Sequence, residues 1–158
     1  MEYAKKILMG LGGFFVLIIL AIIFLGKSSS EFSEHYKPFA KQFIIDFSTD
    51  WDDGKVFGRM SNSFKEQAMS EEGKQIVLQF KDNLGSLQSI SSIELEHYKT
   101  RTGGVEEARF SVSAEYEKGH AVWQMSIIVS DSSAKVEGVN LAVFKPNLQP
   151  IDVQPTKV

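Results

Sequence analysis

The feature that most constrains this chain is a run of nineteen residues, Ile7 to Leu25, that carries no charged side chain. At about 1.5 Å per residue a helix of that length extends roughly 28 Å, close to the hydrocarbon thickness of a bilayer. A cleaved signal peptide is the rival reading. Its apolar region is usually about 7 to 15 residues and ends at a small-x-small site, for which Ser28-Ser29-Ser30 is the local candidate. The length favours a transmembrane helix over residues 7–25. Lys5 and Lys6 precede the run, whereas Lys27 follows it and is soon joined by Glu31 and Glu34. The positive side of a span stays in the cytoplasm. Residues 1–6 are therefore expected inside, and the rest of the chain is expected outside the inner (plasma) membrane. Gly10, Gly12 and Gly13 remove bulk from the cytoplasmic end of the span. They are candidates for packing against a neighbouring membrane helix, although their spacing is not GxxxG and glycine is common in such helices.

Composition narrows what lies beyond the span. The chain has no cysteine, which excludes disulfides, thiol nucleophiles, a lipobox thiol and Cys-based zinc sites. Without residues 1–26 the chain holds 15 basic and 19 acidic residues, net −4, and offers no basic sheath for nucleic acid. Residues 26–31 form a short linker. Five extended residues reach only about 17 Å, so the following domain is expected to stay near the bilayer. Partners in the same membrane, a different membrane protein or a second copy, are favoured.

Residues 32–144 read as one domain and residues 145–158 as a proline-containing tail. Phe32, Tyr36, Phe39, Phe43, Phe47 and Trp51 recur in steps of three or four, which places them on one helical face. Pro38 belongs in a first turn, so the regular helix is expected to begin at about Ser33 to Lys37. Asp52-Asp53-Gly54 breaks the pattern. A helical piece around Val56 to Met60 leads through Ser63 to Met69, and another runs from Glu71 to Leu84. Ser70 suits the N-cap of the latter, Glu71 and Glu72 suit its first turn, and Gly85 suits its stop. Ile76, Phe80 and Leu84 would form its buried stripe.

After Gly85 the hydrophobic period falls towards 2. Strands are expected through Ile93 to Tyr98, Ala108 to Tyr116, Ala121 to Ser130 and Lys135 to Phe144. Turns fall at Thr102-Gly103-Gly104, Lys118-Gly119 and Asp131-Ser132-Ser133. Three short turns in succession imply an antiparallel meander. The expected class is α+β, an N-terminal transmembrane helix followed by helices packed on a curved four-stranded antiparallel sheet. Phe110, Val112, Ala114, Trp123, Met125, Ile127, Val139, Leu141 and Val143 are the expected inward core.

The order of elements over residues 32–144 resembles the cystatin-like α+β cone of the nuclear transport factor 2-like superfamily, in its small membrane-anchored bacterial members. The residues that carry the resemblance are the aromatic first helix ending at Trp51, the Asp53-Gly54 break, the Phe57, Met60 and Phe64 segment, the Gly85 stop and Val136-x-Gly138-Val139. The resemblance implies helices on the concave side of the sheet and, in many members, pairing through the opposite face. Enzymes of the superfamily carry an acid-base group inside the cone.

Little here matches such chemistry. His97 and Tyr116 are the inward polar candidates, and a lone histidine near a strand end is more often structural. His35 and His120 sit beside a helix start and a turn, and no histidine pair has HExxH spacing. Asp46, Asp50, Asp52 and Asp53 cluster at a helix end without a calcium-loop pattern. No cofactor, metal or catalytic residue is expected. Arg109, Ser111, Ser113, Glu115, Gln124 and Ser126 share the outward sheet face with Val122 and Ala142, a candidate interface of mixed polarity. The leading expectation is a non-enzymatic, single-pass membrane protein acting as an accessory or assembly module of a membrane complex. The alternative is a tethered module holding a lipid-like or small apolar ligand, lined by Phe80, Phe110, Trp123 and Met125.

Overall fold

A computed structural model describes residues 29–49 and 56–147. The expected span at residues 7–25, with Gly10, Gly12 and Gly13, lies outside the described residues, as does the tail expected over residues 145–158 from residue 148 onward; Lys145 and Pro146 belong instead to the last strand. Among the described residues no helix is long and apolar enough to cross a membrane. The chain divides into two compact units, Met1–Pro38 and Phe39–Val158.

The described part of the first unit is helical from residue 29. Phe32 and Tyr36 stack one turn apart, 4.5 Å between ring centres, and Lys37 pairs with Glu34. Helical residues continue through Pro38 to residue 49, and this stretch is α1. The start expected at Ser33 to Lys37 is thus too late. Proline's fixed φ is itself helical, but inside a helix it loses a backbone hydrogen bond and its ring crowds the carbonyl four residues back; the helical stretch runs through Pro38 despite that cost. The unit boundary falls directly after Pro38.

In the second unit, a 3-10 turn at Val56–Arg59 is followed by α2 (Asn62–Met69) and α3 (Glu71–Leu84). Ser61 caps α2 by accepting from the Phe64 amide, and Ser70 caps α3 by accepting from the Gly73 amide. The 14-residue α3 begins and ends where its cap residues require. Gly85 stops it at φ 71° and ψ −155°, a positive-φ conformation open to glycine and strained for other residues. Four strands follow, β1 (Leu87–Thr100), β2 (Glu106–Tyr116), β3 (Gly119–Ser130) and β4 (Ser133–Pro146), in the order β1-β2-β3-β4, all antiparallel. The fold is α+β, with helices packed on a four-stranded antiparallel sheet. Asp131 and Ser132 close the last hairpin with φ of 48° and 61°, the left-handed pair that a two-residue hairpin demands.

The central pairing of β2 with β3 is unbroken from Glu106↔Val129 to Tyr116↔Gly119. The irregularities lie in the pairings of the two edge strands. Gln88, Ser91 and Glu96 are extra residues on β1, and Glu137 and Ala142 are extra on β4. Each such bulge bends its strand and shifts the inward–outward phase by one residue. Two expectations fail for that reason. His97 lies opposite Arg109 and is exposed, while Tyr98 lies opposite Ala108 and is half-buried. Val143 lies opposite Val122 and is 42% exposed, while Leu141, opposite Trp123, faces the core. The stripe expected on α3 is buried only towards its end. Leu84 is buried and Phe80 half-buried, but Ile76 is exposed.

The bulge at Ala142 can be tested by comparing two valines of β4. Val136→Ala removes fully buried methyls and is expected to cost about 1–3 kcal/mol in urea unfolding. Val143→Ser should stay within about 0.5 kcal/mol of the parent. Equal losses would place Val143 in the core and contradict the phase shift.

Candidate functional site

The centre of the inner face is Trp123, wholly buried. Phe47 of α1 and Phe80 of α3 both meet it edge-to-face, with ring centres 5.9 and 5.1 Å away. Its indole N–H donates to the Tyr116 hydroxyl over 3.0 Å, and that hydroxyl lies 2.7 Å from Ser48 Oγ. Burial pushes the Tyr116 phenol above its ordinary pKa, while its bonds to Ser48 and Trp123 act the other way. The hydroxyls and the indole satisfy one another, so this polar trio tolerates a dry setting.

The same arrangement holds α3 by one end. The Lys118 amide donates to Leu84 O and the Glu117 amide to Ser86 O, which ties the β2–β3 turn to the end of the helix. Towards its start, α3 leans on α2 through Ser70, whose hydroxyl also donates to Gln67 O. Between these supports the helix leaves an open groove of about 330 Å³. Phe47 and Phe80 line it with Phe64 of α2, Gly73, Ile76 and Val77 of α3, and Val139 of β4. A second cleft, about 300 Å³, lies among Phe47, the 3-10 turn residues Val56 and Phe57, Met60, Met69 and Leu78. The two share Phe47, Ala68 and Val77. Met69, Ile76 and Leu78 are each about half exposed; Ile76 lines the first groove, and Met69 and Leu78 line the second cleft.

Of the expected ligand residues, Phe80 lines the groove. Phe110, Trp123 and Met125 are fully buried, Phe110 opposite Met125, and none of them lines either cleft. The expected interface residues do converge on the outward sheet face. Arg109 pairs with Ser126, Ser111 with Gln124, Ser113 with Val122, and Glu115 with His120. Glu115 Oε1 lies 2.7 Å from His120 Nδ1, and Gln124 donates to Glu96. At one end of this face Glu107 is bound by Lys99 Nζ at 2.7 Å and by Arg101. The Lys99 hydrogen bond, with the charges of Arg101 and Lys99, holds its carboxyl below the usual carboxylate range.

Asp46 is engaged by Arg59 of the 3-10 turn, a bracing role, and Asp50, Asp52 and Asp53 lie outside the described residues. Among the described residues no three histidine, aspartate or glutamate side chains gather as a metal site would require. The groove itself was missed by periodicity, yet it had a signal. Ile76-Val77-Leu78 sweeps roughly 200° around a helix, too wide an arc for one buried face. Comparison with protein-family models, curated proteins and solved structures finds no match for this chain.

Tyr116→Phe takes an acceptor from the buried indole and a partner from Ser48. It is expected to lower unfolding free energy by about 2 kcal/mol at neutral pH. The phenol's folded pKa lies above the unfolded value of 10.0, so the native state retains a proton that the unfolded chain releases. The parent should therefore lose stability as pH rises past that value. The loss should be smaller in Tyr116→Phe, which denaturant titration from pH 7 to 11 would measure.

Proposed function

We propose that this protein is a non-catalytic binding module, held at the inner membrane by residues 7–25, whose extracytoplasmic domain docks a protein partner of the same membrane. The observation that carries the reading is the apolar cleft flanked by half-exposed Met69 and Leu78. Large apolar side chains clustered around a concave surface mark interaction sites. The uncharged run Ile7–Leu25 and the short linker support the choice of a partner in the same bilayer. The cystatin-like resemblance belongs to the same proposal and agrees with helices set on one face of a meander. The outward sheet face supplies a second, more polar surface suited to a homodimer or to a weaker contact. A small ligand in the cone has less support, because three of its four expected lining residues are fully buried.

The test is copurification. Full-length protein taken from its own membranes in mild detergent is expected to migrate with a stoichiometric membrane protein. Met69→Asp with Leu78→Asp is expected to abolish that association while the domain stays folded by circular dichroism. Migration of the parent as a lone chain would overturn the reading.

A further inference from the structure

We propose that the groove between α3 and β4 is a binding site for an extended apolar segment of chain, and that its occupant is this protein's own tail, residues 148–158. The inference goes beyond the reading above and does not depend on membrane attachment.

The described chain ends at Asn147, and its position is fixed. Its amide donates to Lys118 O, and the Lys118 amide donates in turn to Leu84 O. The Asn147 side chain adds a bond to Glu117 O. The tail therefore departs two hydrogen bonds from the C-terminal end of α3. From there an apolar path leads back along the helix. Val139, Leu141 and Phe144 of β4 lie opposite Met125, Trp123 and Ala121 on the sheet's inner face, yet all three are only half-buried. Phe80 and Ile76 of α3 line the groove with Val139.

Reach and chemistry both fit. From Leu84 back to Ile76 is eight helical residues, about 12 Å. Val153 stands six residues beyond Asn147, up to about 20 Å in extended chain. The eleven residues 148–158 span up to about 36 Å and pass the whole groove. Ile151 and Val153 are two apart, so in extended chain both face the same side. Asp152, between them, would face the opposite side of such an extended chain. Pro150 and Pro155 favour an extended conformation and bring no backbone N–H that a groove without strand pairing would leave unsatisfied. The groove offers the tail side-chain contacts, and its open side leaves the remaining backbone groups to water.

The absence of native cysteine makes a direct test available. Ile76→Cys combined with Val153→Cys is introduced into the full chain, which is oxidised under mild conditions in detergent and analysed under non-reducing denaturation. The expected result is an intramolecular disulfide at least fivefold more abundant than in a control pairing Val153→Cys with Ser111→Cys on the outward sheet face. Adding Ile151→Asp to the first pair is expected to bring the yield down to that of the control. Equal yields in the two pairs would overturn the proposal. So would a disulfide formed only between chains, which would assign the groove to a second copy.

Discussion

The edge-to-face contact of Phe47 and Phe80 with Trp123 is the point on which the second unit turns. One ring on β3 receives an aromatic side chain from each of two helices, α1 and α3. Such aromatic contacts contribute about 0.5–1.5 kcal/mol each beyond the area they bury. The polar trio beneath gives the contact a definite geometry. An indole needs an acceptor when buried, Tyr116 supplies it, and Ser48 ties the phenol to α1. Because α3 is held at this end, its opposite end rests on α2, and the groove is the space left between the two supports.

The edges of the sheet follow a different logic. A regular meander would present two straight, unpaired strands, which invite pairing with other chains. Here the extra residues fall on β1 and β4, while the β2–β3 pairing that carries Trp123 stays in register. The regular centre fixes the core and the bulged margins bend and protect the sheet. A parallel bridge between Met60 and Val136, with the Ser61 amide donating to Val136 O, occupies part of the β4 edge.

The same devices explain what was legible from the residues. Caps and stops are local chemistry, so Ser70, Gly85 and the Asp131-Ser132 turn could be read directly. The inward positions of β2 and β3 alternate without interruption, so those from Phe110 to Ile127 are legible in the sequence. In β1 the bulges space the inward residues as Leu87, Ile90, Ile93, Leu95 and Tyr98, opposite inward residues of β2. Steps of three imitate a helix more than a strand, so the start of β1 is hidden and strict alternation puts His97 on the wrong face. The outward cluster around Arg109 and Gln124 was legible because both residues lie on the regular strands. The groove was not, because it arises from how α3 is hung between two supports, a tertiary effect that periodicity cannot express. Pro38 does not mark a helix start, because the helical stretch already runs from residue 29 and tolerates an interior proline.

If the Trp123 cluster is the fixed point of this domain, the indole N–H should be inaccessible except when the domain unfolds. Hydrogen exchange of the two tryptophan indoles, assigned by Trp51→Phe and followed by NMR, tests this most directly. The account predicts that Trp123 Nε1–H exchanges with the same opening free energy as the slowest amides of β2 and β3, near the global value. Exchange of that proton well ahead of those amides would show that the cluster opens while the sheet stays intact, and would contradict the account.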